Sequence, residues 1–522
     1  MKVLAVTGRV AEAEVRRGIS GLEHEIDVFV MPVTVAAFLT PEMIARNLEN
    51  QTLPNYDMIL VPGTISGDVT VVEKATGIPT YKGPIHASEI LLALDPEVSL
   101  SKEQPANLML REQIREKALS EIRQVEENWK RVLKTKGGII IGKGRARVPV
   151  GNGFPMRIIA EIVNAPLLDL EMIEQKAIYY ENQGAHIIDV GMLAGNPMPD
   201  SIENIFQTIR NVTGLPISID SLNPDEINTA LDLDVDLILS LDAGNISEIT
   251  SSIAEAAVVV LPTNMKEGYL PRKPEQRVRK MENNIVLAKE RGVKKIIADL
   301  VVEPLINPGL MDSLESYRIF KKKYSDMPIL FGMGNVTELI DADSVGVNAS
   351  LTALASEVGA NMLHIPEYSD KAYGSVKEAV TASKMMWLAQ MKGAIPKDLG
   401  IDLLVLKEKR KVEPDYNSDL EINYDVIRGY PEDEFIMDPK GWFKILIDRE
   451  TNSIAAIHYN IGEEEPDIII KGSNSREIYQ TIIRENLISK FDHAAYLGKE
   501  LEKAFIALKL GRSYVQDDSL FS

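Results

Sequence analysis

Short apolar runs recur along the whole chain, and their spacing divides it. In residues 1–100 the runs KVLAVTG (2–8), EIDVFVM (25–31) and DMILVPG (57–63) are β-rich, and each is followed by a polar or helical stretch. Strands alternating with helices predict parallel βαβ units, hence a small three-layer α/β domain. Residues 101–150 are expected to be a linker: REQIREKALSEIRQVEENWKRVLKTK (111–136) is densely charged with mixed sign, and Leu119, Ile122, Val125 and Trp129 form an apolar stripe at helical spacing. Gly137-Gly138 stops that helix.

The strongest organisation lies in residues 151–393. Eight buried-strand runs recur there: RIIAEIV (157–163), HIIDV (186–190), ISID (217–220), DLILS (236–240), AVVVL (257–261), IIADL (296–300), PILF (328–331) and NMLHI (361–365). Stretches of helical character separate them. Asn223-Pro224-Asp225-Glu226 reads as a helix start with an N-cap, a proline in the first turn and a glutamate at N3; Ser375 with Glu378 reads as a capping box. A doubly wound sheet also alternates β and α, but eight unbroken β-then-α units in about 235 residues is the count of a (β/α)₈ barrel. From 394 to 522 the pattern changes again. An acidic stretch (407–439) leads into a hairpin turning near Thr451-Asn452-Ser453, a third strand in PDIIIKG and two helices, a small α+β domain. The expected fold class is therefore α/β, a central TIM barrel between an N-terminal α/β domain and a C-terminal α+β domain.

Composition narrows the chemistry. Of 522 residues 45% are apolar and 26% charged, and 57 basic against 77 acidic side chains leave a net charge of −20, so most of the surface would repel a phosphate polymer. No nucleic-acid partner is expected. The absence of cysteine removes thiolate catalysis, iron–sulfur ligation, Cys-based zinc sites and disulfides. The six histidines (His24, His86, His186, His364, His458, His493) show no paired metal-ligand spacing, so no protein-bound metal is expected. No run approaches the roughly 18 apolar residues of a bilayer span. With no leader recognisable at the N-terminus, the expectation is a cytoplasmic protein without a membrane partner.

A barrel carries its functional groups at the carboxyl ends of its strands. Here those positions hold Asn164, Asp189, Asp220, Ser240 with Asp242, Pro262 to Asn264, Asp299, Gly334-Asn335, and His364 with Glu367. Three uses suit so many carboxylates and amides. They cap neighbouring loops and helices; or they converge on a divalent ion; or they recognise a flat heterocycle whose adjacent N–H and NH₂ groups a carboxylate accepts in a bidentate pair. In the N-terminal segment, Pro62 to Gly67 is either a plain strand-to-helix turn or a nest of N–H groups for an anion.

HIIDVG (186–191), preceded by Gly184-Ala185, with PISID (216–220) and the eightfold layout, resembles the pterin-binding barrel of dihydropteroate synthases and pterin-dependent methyltransferases. More closely, nearly the whole chain resembles archaeal dihydropteroate synthase-related proteins, including GMGNVTELIDADSVGVNA (332–349) and HAAYLGKELEKAFIALKLG (493–511). The resemblance implies that Asp220 holds the pterin ring, that Asp299 pairs with its amino group and neighbouring ring nitrogen, and that Asn164 lies near the diphosphate and Mg²⁺. Asp189 matches the second-strand Asp of the synthases. The departures are equally specific. Ala165-Pro166-Leu167-Leu168-Asp169 replaces the synthase loop after the first strand, and Ser240 stands where the fourth-strand Asn is expected. Gly334-Asn335-Val336 replaces the Ser-Arg-Lys run and resembles the methyltransferase turn whose Asn reaches the pterin's N5 side. Met362 stands in place of the Arg two residues before His364.

An anion site can be read without the resemblance: Lys371 followed by Gly374-Ser375 at a helix start, in the loop after the eighth strand, with His364 near by. The other reading of Lys371 is a solvated loop lysine. The loop after the fifth strand (Lys266, Arg272, Lys273, Arg277, Arg279, Lys280) reads as an exposed helix or as a site for a second anionic substrate such as an aryl ribosyl phosphate. The resemblance implies a transferase that joins a hydroxymethyl-dihydropterin diphosphate to an arylamine in the biosynthesis of a methanopterin- or folate-type cofactor. Mg²⁺ would accompany the diphosphate, and a homodimer is compatible with it. Methyl transfer from a methylpterin and a non-catalytic pterin-binding subunit are the rival readings.

Overall fold

All eight expected strands form, and they close on themselves. The computed structural model describes the chain except residues 20–24, 86–89, 91–92, 95–97, 144–145, 410–419, 430–435 and 522, so His24 and His86 lie outside the described residues. Its contacts divide the chain into two units, Met1–Val412 and Glu413–Ser522.

The first unit opens with strands β1 (Lys2–Thr7), β2 (Glu25–Val30), β3 (Met58–Val61) and β4 (Thr80–Lys82), a parallel sheet in the order β2-β1-β3-β4. The turn after β3 is held by bonds within the chain. Gly63 donates its N–H to Pro84 O, and the buried Lys82 Nζ donates to Ile65 O. A Cβ on Gly63 would stand 2.5 Å from Gly83 O, so glycine is there to let two backbones meet.

The linker forms two helices, Ala106–Glu127 and Trp129–Lys136, and then a hairpin of β5 (Ile139–Ile141) and β6 (Val148–Val150). Ile141, Val148 and Val150 pack with Ile159, Ile187, Leu237, Leu239, Ala257, Val259, Ile297, Leu330 and Met362, plugging the amino-terminal end of the barrel. Arg157, almost wholly buried, donates from Nε to Pro149 O and through both guanidinium nitrogens to Glu126, which ties helix, hairpin and first barrel strand together.

The barrel strands are β7 (Arg157–Ile162), β8 (Ile187–Gly191), β9 (Ile217–Asp220), β10 (Leu237–Leu241), β11 (Ala257–Val260), β12 (Lys295–Ala298), β13 (Leu330–Gly332) and β14 (Met362–Ile365), all parallel. A bridge between Ala298 and Ile329 joins β12 to β13 and completes the ring. Side chains of opposite parity, among them Ile158, Ala160, Ile188, Val190, Ile219, Ile238, Val258 and Leu363, pack outward against the helices.

In the second unit β15 (Trp442–Asp448), β16 (Ser453–Tyr459) and β17 (Ile468–Gly472) form an antiparallel sheet. Phe443, Ile445 and Ile454 pack on Ile478, Ile482, Leu497 and Leu501 of helices Ser475–Arg484 and Phe491–Leu510. This is the small α+β arrangement expected from the sequence.

Candidate functional site

Side-chain parity builds the site. In β7, Ile159 faces the apolar interior, so Glu161 faces the same way one step nearer the carboxyl end. Asp189 follows Ile187 in β8, Asp220 follows Ser218 in β9, Asp299 follows Ile297 beyond β12, and His364 follows Met362 in β14. The sheet register sets Glu161 beside Asp189, and Gly191 beside Asp220. Five ionisable groups thus crown one dry interior at the carboxyl-terminal mouth.

Their bonds differ in kind. His364 Nε2 lies 3.2 Å from Asp189 Oδ2 and 3.6 Å from Glu161 Oε2, and Ser218 Oγ donates to Asp189 Oδ1 at 2.5 Å. Asp220 Oδ1 accepts the Ser240 hydroxyl. Asp299 Oδ1 accepts from the Tyr317 hydroxyl at 2.5 Å and from Val301 N at 2.8 Å. The second oxygens of Asp220 and Asp299 accept nothing from the described residues, so each aspartate is anchored on one side and open on the other.

The electrostatics follow from crowding acids in a dry mouth. Burial raises the pKa of Asp299 and of Asp220, and the Asp189 charge adds to the shift at Asp220. Burial, with the charges of Asp189 and Asp220, lifts Glu161 to about 8 even though His364 pulls the other way. Burial alone would lower His364; its bond to Asp189 and the charges of Glu161, Asp189 and Asp220 outweigh this and raise it to about 10.

Backbone strain marks the same rim. Asn164 (φ 52°), Ser240 (φ 65°), Val301 (φ 67°), Ile306 (φ 69°) and Glu367 (φ 42°) all adopt left-handed conformations that non-glycine residues avoid. Beyond β12 the strain is clamped by Arg277. Its fully buried guanidinium donates to Pro271 O, Leu300 O, Val301 O, Ser313 Oγ and Glu303. The basic loop after the fifth strand is therefore no single exposed patch: Arg277 points inward and holds the Asp299 loop, and Lys266 pairs with Glu248.

The expected phosphate site is not assembled. Lys371 donates to Ile340 O at 2.7 Å and Asp341 Oδ1 at 3.1 Å. The N-terminus of helix Ser375–Lys392 is already filled by a carboxylate of the chain itself: Glu367 accepts from Gly374 N, from Val376 N and from the Tyr179 hydroxyl. Nor is there a capping box. Gly374 is the N-cap, Ser375 Oγ is buried and accepts from Asn348, and Glu378 accepts from Ser344 and Asn348. The Asn223 cap forms as expected, its side chain accepting from Asp225 N and Glu226 N.

Of the remaining residues at the strand ends, Asp242 serves its own loops, accepting from Gly244 N, Thr263 Oγ1 and Met265 N. Asn335 is exposed, and its Nδ2 donates to Val302 O at 2.7 Å. Asn164 is half-buried just past the end of β7, and its side chain makes no hydrogen bond among the described residues. Sequence reasoning missed Glu161, Ser218 and Tyr317, and it gives Arg277 only as one charge of a basic stretch. The first two carried a signal, a polar residue at the inward parity of an apolar strand.

Comparison with known proteins agrees with this architecture. Residues 164–365 match the family described as pterin binding enzyme. Residues 1–85 match a family of unknown function (DUF6513), and residues 437–517 match PterinBD-DUF4346. The uncharacterized protein MJ0107 of Methanocaldococcus jannaschii is 43% identical over 535 residues, covering 100% of this chain and 99% of its own. Among solved structures, dihydropteroate synthase from Stenotrophomonas maltophilia with active-site-bound imidazole is similar at 17% identity and a TM-score of 0.37, over 46% of this chain and 94% of that one. The Xanthomonas albilineans dihydropteroate synthase in complex with 7,8-dihydropteroate is similar at 17% identity and a TM-score of 0.35, over the same shares. This chain belongs to one family with the Methanocaldococcus jannaschii protein, and its central barrel is of the pterin-binding-enzyme type.

Proposed function

We propose that the barrel binds a pterin between Asp220 and Asp299 and transfers its exocyclic methylene from diphosphate to an arylamine. The observation that carries this reading is the pair of inward-facing aspartates, each anchored through one oxygen and open through the other. A pterin presents an amino group beside a ring N–H, and a carboxylate accepts such a pair in parallel. Tyr317 and Val301 N fix the orientation of Asp299, and Ser240 fixes that of Asp220.

In the proposed reaction the arylamine nitrogen attacks the methylene carbon. The C–O bond to diphosphate breaks, the leaving group keeps the electron pair, and the amine gives up one proton. Positive charge develops on the methylene and ring as that bond stretches, and carboxylates held in a dry mouth favour it. Mg²⁺ suits this site: it takes oxygen ligands, and the Asn164 side chain, which makes no hydrogen bond among the described residues, offers one. When bound with the diphosphate it would neutralise the leaving charge. Lys371 and the Gly374 amide have other partners, so neither is assigned to the diphosphate. We place the reaction in the assembly of a methanopterin- or folate-type cofactor.

The rival reading, methyl transfer from a methylpterin, draws on Asn335, one of whose two amide N–H groups donates to Val302 O. Mass spectrometry after incubation with hydroxymethyl-dihydropterin diphosphate and a series of arylamines separates the readings. Released diphosphate with a coupled product is expected. Methyl uptake from a methylpterin without release would install the methyltransferase instead, and pterin binding with neither reaction would leave a carrier.

A further inference from the structure

We infer that the barrel mouth holds a divalent transition-metal ion of its own, on Glu161, Asp189 and His364, bound without any substrate. This does not rest on the proposed reaction, which assigns Asp220 and Asp299 and leaves these three residues unused.

The first argument is spacing. One ligand atom from each of the three residues lies within 4.8 Å of the other two. His364 Nε2 stands 3.2 Å from one carboxylate oxygen and 3.6 Å from the other. Ligand atoms each about 2.1 Å from a common ion stand roughly 3.0–3.4 Å apart in octahedral or tetrahedral arrangements. The observed separations are close to such an edge, and 3.6 Å is too long for a hydrogen bond.

The second argument is that Glu161 has no other occupation. Its carboxylate is half-buried, with a side-chain relative exposure of 13%, and it accepts no hydrogen bond from the described residues. A carboxylate so largely withdrawn from water, one strand from Asp189, is stabilised by a cation that bridges the two. The chain makes room for this: a Cβ on Gly191 would fall 2.2 Å from Glu161 Oε1, so β8 carries glycine where the glutamate needs space. Asp189, fully buried, is oriented by the Ser218 hydroxyl, the kind of supporting bond that fixes a metal ligand. The three donors come from adjacent strands in the order β14-β7-β8, which makes the set rigid.

Two carboxylates and one imidazole suit Zn²⁺, Mn²⁺ or Fe²⁺. Three protein ligands leave coordination positions open, the pattern of an ion that meets a substrate or water. The rival is a plain ion pair in which an imidazolium serves both carboxylates.

Chelator-stripped full-length protein titrated with Zn²⁺ alone and Mn²⁺ alone, with no pterin present, decides between them. One ion per chain is expected, with Zn²⁺ tighter than Mn²⁺. Glu161→Gln and His364→Gln should each weaken binding tenfold or more, and Ser218→Ala about tenfold. Asp299→Asn should bind the ion as the parent does, so failure of the pterin reading and failure of this one are told apart. The electron paramagnetic resonance spectrum of the Cu²⁺-loaded parent should show coupling to a single nitrogen, a readout independent of how the variants fold. No stoichiometric uptake, uptake indifferent to Glu161→Gln and His364→Gln, or coupling to two or more nitrogens would overturn the inference.

Discussion

At the scale of single residues, the mouth holds acids at a cost in stability. Burial raises the pKa values of Asp220 and Asp299, so keeping both ionised at neutral pH costs folding energy. The sign is explicit: a folded pKa above the unfolded one gives stability that is present below the unfolded value and lost as pH rises through the folded value. Asp299→Asn keeps the oxygen that Tyr317 and Val301 address and removes the charge. The ligand-free variant should melt at the same temperature as the parent or higher. Its pterin affinity should nonetheless fall by about 1–3 kcal/mol, the scale of a charge-assisted hydrogen bond. A matching pH effect follows from the proposed binding, in which the ionised carboxylates hold the ring. Affinity should hold above the raised pKa values and decline on acidification earlier than an ordinary aspartate near 3.9 would allow. Calorimetric titrations from pH 8 downward check this; a profile flat to pH 5 would contradict it.

At the scale of elements, loops are held by side chains that run against their apparent character. Arg277 sits in a basic stretch that reads as a solvated helix face, yet it is fully buried and clamps the loop that follows Asp299. Replacing it with Met leaves Glu303 buried without its partner, which costs about 3–5 kcal/mol. Denaturant unfolding of Arg277→Met should show that loss, and the double variant with Glu303→Gln should recover part of it. The hairpin that plugs the barrel makes a second case. Ile141 is fully buried among interior side chains, so Ile141→Ala should cost about 2–5 kcal/mol by the same measurement.

A strand such as AVVVL announces itself through an unbroken apolar run, because both faces of a barrel strand are buried. The Asn223 cap and the C-terminal hairpin were legible because their chemistry is local. The plugging hairpin was not: its strands are three residues each, too short for a periodic signal. Asp220 and Asp299 stand out as acids closing apolar strands, whereas Glu161 is masked inside RIIAEIV although it shares the inward parity of Ile159. The capping box at Ser375 and the phosphate role of Gly374 failed for one reason. Glu367, close in sequence and held in a left-handed conformation, supplies the carboxylate that fills the helix start, and pattern alone does not show where that side chain turns.

At the scale of the molecule, the two units meet different demands. In the second, the buried Asp438 accepts from Ser489 N and Oγ, Lys490 N and Lys440 N and contacts His493 Nδ1; though burial opposes ionisation, these bonds hold its pKa well below the usual range. A depressed carboxyl contributes stability above its unfolded pKa and loses it as pH falls through the folded value. Asp438→Asn should therefore destabilise the second unit most at neutral pH and least in acid, seen as earlier proteolysis of the carboxyl-terminal region in the full chain. In the first unit, inward-facing acids gather at the barrel mouth. Isothermal titration of the full-length protein with hydroxymethyl-dihydropterin tests most directly the proposal that they hold a pterin. The account predicts one pterin per chain, with Asp220→Asn and Asp299→Asn each weakening it about tenfold or more while the protein stays folded. Binding that ignores both substitutions, or no binding to the folded parent, would contradict it.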